Sequence, residues 1–228
     1  PGFKEIRLEV ETNKGCVNSA SKYLKFDLKP EVFFSWGNEC FGGETKFTDQ
    51  TENEDPLNIY SWDFNDDSLS NLRHPMHMFS DTGQYFVKLS IKTITGCISE
   101  KSQAVNIRPS IRIADKDYFQ DFESGQGGWI SELISNSVSW EYGTPAKEII
   151  NSASSGTHAW VTKLTGNYSN NEQSMITSPC FIFEDIKRPM IKIDYLSQTE
   201  KDRDGAVIQF SDTLGGWKTI GIPGEGVN

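Results

Sequence analysis

Alternation of apolar and polar side chains with a period of two dominates the chain, and this period predicts β-strands. The clearest stretch runs from Ile59 to Ile91, where two alternating runs flank a polar connection, Asn65 to Ser68. The first run places Tyr60, Trp62 and Phe64 on one face, and the second does the same for Tyr85, Val87, Leu89 and Ile91. Comparable short strands recur about 8–12 residues apart, which is typical of β-sandwiches. The sequence therefore predicts an all-β fold.

Three blocks within this stretch resemble a known family. They are Trp62-Asp63-Phe64, His77-Met78-Phe79 and the run Gly83-Gln84-Tyr85-Phe86-Val87-Lys88-Leu89. In this order they are similar to the W-D-F-G-D-G … H-x-Y … G-x-Y-x-V-x-L pattern of PKD domains, which are immunoglobulin-like β-sandwiches of extracellular proteins. The chain departs from the pattern at Asn65 and Asp67, where the family usually has glycine. The resemblance implies a complete PKD-like domain over residues 31–109.

The first thirty residues repeat part of that domain at an offset of 81 positions. Identical residues recur at Gly2/Gly83, Leu8/Leu89, Thr12/Thr93, Gly15/Gly96, Cys16/Cys97 and Ser21/Ser102. Chance similarity of two amphipathic strands is the alternative, but the shared Thr-x-x-Gly-Cys block at the same phase favours a repeat. Residues 1–30 are therefore predicted to be the C-terminal hairpin of a preceding PKD-like repeat. A hairpin alone is marginally stable in water, so it should need further strands or a partner.

From Asp115 the motifs change, and the predicted domain 115–228 begins there. The order Gly127-Gly128-Trp129, Trp140-Glu141-Tyr142-Gly143 and Gly156-Thr157-His158-Ala159-Trp160 resembles the MAM-like jelly rolls of bacterial surface proteins, which include cleaved-adhesin and choice-of-anchor domains. Alternating runs at 191–195 and 206–210 predict further strands. The resemblance spans 117–221, and such jelly rolls usually have more strands, so we expect a domain truncated on its C-terminal side.

Composition and charge narrow the partners. The 228 residues are 12% aromatic and 24% charged, which is a globular composition. The net charge of −10 argues against nucleic acid, whose phosphates attract Lys and Arg. No apolar run approaches the roughly 20 residues of a membrane span. We therefore expect no nucleic-acid partner and no membrane span in this segment, which we interpret as part of a longer polypeptide.

Four cysteines lack the spacing of a zinc site, and the extracellular setting implied by the resemblance favours disulfides. The predicted pair is Cys40–Cys97, both within the complete repeat. One argument opposes it, since in an immunoglobulin-like sandwich these two positions tend to lie at opposite ends. Cys40 facing the next domain is the alternative. Cys180 is either bonded outside this segment or a small buried hydrophobe, and Cys16 is expected to have its partner elsewhere.

Catalytic motifs are absent from the sequence. It contains no His-Glu-x-x-His, Gly-x-Ser-x-Gly, P-loop or dinucleotide fingerprint. His77 is expected to form a structural hydrogen bond, His158 to pack in a strand and His74 to lie in a loop. The acidic pairs fall in predicted exposed loops, where solvation explains them. The sequence therefore predicts no enzyme active site.

Calcium and sugars are the candidate ligands. By resemblance to calcium-bearing jelly rolls, Asp121 and Glu123 with Asp202 and Asp204 could supply the oxygen ligands of Ca²⁺. Salt bridges to Lys201 and Arg203 are an equally good interpretation. Of the six tryptophans, Trp36 and Trp217 lie beside glycine-containing turns and are the predicted exposed ones, available for stacking on a glycan.

Together these features predict a non-catalytic binding or spacer segment of a large secreted or cell-surface protein. The combination of domains resembles Bacteroidetes-type surface proteins, which implies adhesion, gliding motility or export by type IX secretion. The expected partner is a protein or glycan at the bacterial cell surface, or secretion or gliding machinery. Two alternatives remain open at this point: the accessory region of a secreted protease or glycosidase, and a glycan-binding module.

Overall fold

The computed structural model describes residues 2–26, 29–52, 59–113, 118–184, 186, 188–200, 203–212 and 216–221. All regular elements in these ranges are strands, which confirms the predicted all-β class, and no helix there is long and apolar enough to cross a membrane. The strands are β1 (Gly2–Glu11), β2 (Val17–Phe26), β3 (Phe34–Gly37), β4 (Thr45–Asp49), β5 (Ile59–Asp63), β6 (Leu69–Ser70), β7 (Met76–His77), β8 (Gly83–Lys92), β9 (Ile98–Ile107), β10 (Ser110–Ile113), β11 (Ile130–Ser135), β12 (Trp140–Gly143), β13 (Ala159–Thr162), β14 (Gln173–Thr177), β15 (Cys180–Phe183), β16 (Ile208–Ser211) and β17 (Trp217–Ile220).

The chain divides into two compact units. The first comprises Pro1–Trp36, Lys46–His77 and Tyr85–Val105, and the second comprises Gly37–Thr45, Met78–Gln84 and Asn106–Asn228. The loop that carries Cys40 thus belongs to the second unit, although it lies within residues 31–109. The boundary predicted near residue 110 marks a change of sequence motifs, whereas these two units are each built from several segments of the chain.

Two sheets form the core of the first unit. One has the order β6-β5-β8-β9 and the other the order β3-β4-β7. β5 and β8 are antiparallel, with Trp62 opposite Leu89 and Tyr60 opposite Ile91. Rings from the two sheets meet, since the centroid of Trp62 lies 5.1 Å from that of Phe34 and 5.5 Å from that of Phe47. The residues that alternation assigned to one face are buried in the core of this sandwich, except that Tyr60 and Tyr85 are half-buried.

The polar turn after β5 takes the conformation that glycine would take. Asn65 and Asp67 have φ angles of +64° and +66°, in the left-handed region. Asn and Asp tolerate this region better than other residues with a side chain. The Asn65 Oδ1 also accepts a hydrogen bond from the Phe86 N–H at 3.1 Å. The departure from the family pattern at these two positions is therefore compatible with the same local backbone.

His77 completes this region in the structural role expected for it. Its Nε2 lies 2.7 Å from Asp66 Oδ2, and both side chains are largely buried. The ring stacks on Phe64, with centroids 4.1 Å apart. His74, in the preceding loop, accepts the Asp49 N–H at its Nδ1. Both side chains hold loops against strands.

The β1–β2 hairpin pairs residue by residue from Gly2 opposite Phe26 to Glu11 opposite Val17. Every residue of β1 is exposed. Its assignment to a preceding repeat stays a prediction.

The second unit contains four two-stranded sheets among its described residues. β11–β14, β12–β13 and β16–β17 are antiparallel, and β10–β15 is parallel. Two sequence predictions are corrected here. Residues 191–195 alternate but form no strand, and their apolar side chains are exposed; the strand predicted over 206–210 begins only at Ile208. An alternating pattern is not sufficient for a strand, because a strand also needs a neighbouring strand to pair with.

The left-handed turn yields a stability prediction. Replacing Asn65 by Ala should lower the free energy of unfolding by about 1–3 kcal/mol. The variant loses the hydrogen bond to Phe86, and alanine tolerates a positive φ less well than asparagine because it has no polar side chain to bond to the local backbone. Asn65→Gly should cost only about 1 kcal/mol, since it loses the bond alone. Urea denaturation followed by tryptophan fluorescence measures both. Equal losses for the two variants would show that the backbone conformation contributes nothing.

Candidate functional site

A polar site of the second unit surrounds the carboxylate of Glu123. We define the Glu123 cluster as Glu123, Gly156, Thr157 and His158. The last two residues immediately precede β13, and Glu123 lies in the loop before β11. Gly156 has φ +60°, and a Cβ there would lie 2.3 Å from the Glu123 carboxyl carbon. Only glycine therefore permits the carboxylate to approach this turn.

Both carboxylate oxygens of Glu123 are occupied by donors. Oε1 accepts the N–H groups of Thr157 and His158 at 2.9 and 2.7 Å. Oε2 accepts the Thr157 hydroxyl at 2.9 Å and lies 3.4 Å from His158 Nδ1. The Glu123 N–H itself donates to Asp121 Oδ1 at 3.1 Å. The cluster is a carboxylate that caps the backbone of a turn.

These bonds change the ionisation of Glu123. The backbone N–H of His158, followed by that of Thr157, lowers the pKa of the carboxyl from about 4.5 to about 2, because each donor favours the charged form. The same arrangement recurs twice in this unit. The Leu164 N–H lowers the pKa of Glu141, and hydroxyl and backbone donors, Ser174 and Ser139 first among them, lower the pKa of Glu172 against the opposing effect of burial.

A hydroxyl, an imidazole and a carboxylate meet here, but their geometry does not match nucleophilic catalysis. In a hydrolase triad the imidazole stands between the other two groups and uses one ring nitrogen for each. In this cluster the Thr157 hydroxyl lies 2.9 Å from both the carboxylate and His158 Nδ1. The same ring nitrogen therefore faces both partners. A carboxyl with a pKa of about 2 is also a poor general base near neutral pH.

Aromatic rings support the cluster. His158 stacks on Tyr142 of β12 with centroids 5.5 Å apart, and Trp160 of β13 lies 6.0 Å from the same ring. The Tyr142 hydroxyl donates to the Phe122 carbonyl at 2.5 Å. The chain next to Glu123 is thereby fixed to the β12–β13 sheet. The packing role expected for His158 is seen here, together with a polar role that sequence reasoning missed.

Two of the residues predicted to bind calcium, Glu123 and Asp204, accept hydrogen bonds from neighbouring groups. The described residues contain no group of three or more His, Cys, Asp or Glu side chains that could hold a metal. Glu123 is surrounded by hydrogen-bond donors, which repel a cation, and Asp204 Oδ2 accepts the Tyr168 hydroxyl at 2.8 Å. Asp202 lies outside the described residues. Calcium binding by these residues stays a prediction.

The disulfide prediction was wrong. Cys40 is bonded to Cys180, with their Cα atoms 5.7 Å apart, and Cys97 is a free, partly exposed thiol in the turn after β8. Both cysteines lie next to the same short segment of the chain. Cys40 forms a parallel β-bridge with Arg108, and the Cys180 N–H donates to the carbonyl of Pro109. The alternative, that Cys40 faces the next domain, agrees with this bond, because Cys180 lies within the predicted domain 115–228. Cys16 is also a free thiol.

Polar contacts surround this disulfide within the second unit. Arg108 donates to the Ser178 carbonyl at 2.9 Å and lies 3.6 Å from Glu39. Asn106 donates to Glu132 Oε1 at 3.0 Å, and the Ser110 hydroxyl donates to the Phe41 carbonyl at 2.7 Å. The end of β9 and the strands after it are thus held by one covalent and several polar links.

The two tryptophans proposed for sugar stacking occupy different units. Trp36 in β3 is half-buried, with its ring 6.0 Å from Phe34. Trp217 opens β17 and is 45% exposed. Of these two tryptophans, Trp217 offers the more open face. Its role as a ligand contact stays a prediction.

Comparison with known proteins identifies one part of the chain. A model of the PKD domain family matches residues 38–108. The remaining assignment, of residues 117–221 to MAM-like domains, stays a prediction.

Known relatives cover limited parts of the chain. Bacillopeptidase F of Bacillus subtilis (strain 168) is 30% identical over 126 residues, which are 55% of this chain and only 8% of that protein. Two solved structures are similar at 19% identity. The first is the PKD1 domain of Vibrio anguillarum Epp. It has a TM-score of 0.33, and the match covers 36% of this chain and 96% of that domain's chain. The second is a structure from work on the promiscuous specificity of carbohydrate-binding modules of the β-sandwich superfamily. It has a TM-score of 0.35, and the match covers 60% of this chain and 54% of that one. At these scores neither structure supports a conclusion about this chain.

The Glu123 cluster predicts acid sensitivity. Because its folded-state pKa is depressed, its contribution to stability is complete above about pH 4.5 and is lost as the pH falls toward about 2. Glu141 and Glu172 shift in the same direction. Thermal unfolding between pH 7 and pH 2.5 should therefore show a falling Tm. Glu123→Gln should lower the Tm at pH 7 and flatten this dependence.

The exposed residue Glu148 in the same unit provides the control, and Glu148→Gln should leave the profile unchanged. A Glu123→Gln profile parallel to that of the wild type would contradict the role of the carboxylate charge.

The disulfide predicts a response to reductant. The bond joins residues 140 positions apart, and the chain-entropy account gives such a link about 4–5 kcal/mol. Reduction of the wild type should lower the free energy of unfolding by about 2–5 kcal/mol in a denaturant titration. The double variant Cys40→Ser/Cys180→Ser should be indifferent to reductant, whereas Cys16→Ser should behave as the wild type. An unchanged wild-type midpoint after complete reduction would refute the stabilising role.

Proposed function

We propose that this chain is a non-catalytic spacer and binding segment of a large exported protein, secreted or held at the cell surface. The PKD match over residues 38–108 supports an extracellular module. The Glu123 cluster uses its polar groups to fix a turn, and its geometry does not suit nucleophilic attack. Both observations are compatible with a segment that presents a surface to a partner.

The Cys40–Cys180 disulfide is the observation that carries the proposal. Disulfides persist in oxidising compartments and are rare in the reducing cytosol. This one connects the PKD-matching stretch to a strand 140 residues later. A link of this kind resists unfolding outside the cell, where chaperones and resynthesis do not repair damage. It suits a segment that must keep its shape while it bears another domain.

The accessory region of a secreted protease is the second candidate, and a specific observation favours it. The 126-residue similarity to Bacillopeptidase F joins this chain to a protein whose name marks it as a peptidase, although the match spans 8% of that protein. In this version of the proposal the segment spaces or anchors a catalytic domain located elsewhere in the polypeptide. The segment itself transforms nothing.

Finer assignments stay predictions. These are adhesion, association with gliding or type IX secretion machinery, a Bacteroidetes-type source and glycan binding. For glycan binding the exposed Trp217 provides a direct test, because an aromatic ring that stacks on a ligand offers a large apolar contact area. Loss of signal on a glycan array with Trp217→Ala, but not with the half-buried Trp36→Ala, would favour a glycan-binding module.

Deletion in the full natural polypeptide tests the proposal. Removal of residues 31–221 should leave any turnover of a short soluble substrate within about twofold, because no reacting group is lost. Retention of the protein on its insoluble substrate or on the producing cell should fall by tenfold or more. Loss of turnover on the soluble substrate in a deletion variant that remains folded would overturn the non-catalytic assignment.

A further inference from the structure

The β1–β2 and β8–β9 hairpins close with the same turn. In both, the first Thr N–H donates to the Cys carbonyl, the Gly N–H donates to the Thr carbonyl, and the Cys N–H donates to the Thr hydroxyl. The distances are 2.9, 2.9 and 3.1 Å for Thr12, Gly15 and Cys16, and 2.9, 2.9 and 3.0 Å for Thr93, Gly96 and Cys97. The two glycines have φ angles of +78° and +90°. The sequence repeat is therefore also a repeat of backbone geometry.

The repeat extends to the faces of the strands, but burial differs between the copies. Val87, Leu89 and Ile91 of β8 are 0% exposed. Their equivalents at the offset of 81 are apolar and lie on one face of β1, but are 49%, 65% and 55% exposed: Ile6, Leu8 and Val10. On the opposite face Arg7 corresponds to Lys88 and Glu9 to Ser90, which are polar in both copies, whereas Glu5 corresponds to Phe86. β1 thus has the pattern of a core strand without its core.

The edges of the two strands differ in the same way. β8 is paired on both sides, by β5 and by β9. Among the residues that the structure describes, β1 pairs only with β2. Its second edge leaves backbone donors and acceptors open over ten residues, which is a strand-pairing site. A groove on the β1–β2 hairpin is lined by Leu8, Val10 and Ala20, together with residues of the turn.

We propose that the β1–β2 hairpin closes a further sandwich of the same kind, and that strands on its N-terminal side in the polypeptide cover it. The occupant supplies a strand equivalent to β5, antiparallel to the free edge of β1. It also supplies an aromatic sheet equivalent to β3-β4-β7 over Ile6, Leu8 and Val10. In the complete repeat these same elements bury Leu89, which lies opposite Trp62.

The internal copy also argues against a second molecule of this chain as the occupant. Among the described residues, the aromatic layer that covers β8 comes from β3, β4 and β5, and its rings already pack against one another in the core, as Phe47 does with Trp62. A second molecule would have to offer a different surface, such as its own exposed hairpin. That hairpin lacks the aromatic layer, so the fit would be poor.

Hydrogen exchange in the full natural polypeptide tests this proposal. The amides of Arg7 and Glu9 should be protected there at least 100-fold more than in the isolated 228-residue chain, because the alternation that starts at the Thr12–Cys16 pair directs them to the free edge of β1. Leu8→Asp should abolish this protection, as Leu89→Asp should do for β8. Ser21→Asp is the matched control, because it introduces the same charge on the opposite face of the hairpin and should leave protection unchanged.

Two outcomes would overturn the proposal. One is equal, low protection of β1 in the full polypeptide and in the isolated chain. The other is protection in the isolated chain that disappears on dilution together with a dimer in light scattering, which would make a second copy the occupant. Neither outcome affects the deletion test of the spacer function, so the two proposals fail independently.

Discussion

Burial of one indole ring organises the first unit. Trp62 is 0% exposed, and its ring contacts both Phe34 and Phe47 from the facing sheet. Such a ring is costly to bury unless its N–H finds an acceptor. The indole donates to the Leu72 carbonyl at 2.9 Å, which also fixes the loop between β6 and β7. One side chain thus joins the two sheets and determines the path of the connection between them.

The second unit depends on different forces. Its described strands form pairs, and few of its large apolar side chains are fully buried. Ionised glutamates bonded to backbone N–H groups do part of the work that a core does elsewhere, as at Glu123 and Glu141. The Cys40–Cys180 bond adds a covalent constraint. We expect the stability of this unit to respond to pH through these carboxylates and to redox conditions through the disulfide.

The sequence allowed prediction of what depends on local periodicity. The alternating faces of β5 and β8 could be predicted because the period of two is imposed by the strand itself. The Cys40–Cys180 pair could not be predicted, since it depends on where a loop and a strand 140 residues apart come to lie. Alternation at 191–195 predicted a strand that does not form, because a strand also needs an edge to pair with. The Glu123 cap escaped notice for a similar reason, as its donors lie more than thirty residues away.

The long span of the disulfide has a consequence for damage by proteases. A single cut anywhere between Cys40 and Cys180 leaves both pieces attached through sulfur, although the backbone is broken. Exposed loops in this interval, such as that around Leu72, can therefore be nicked in a protease-rich medium without release of either part. A population of such molecules would migrate as one species on a gel and separate into two fragments only after reduction.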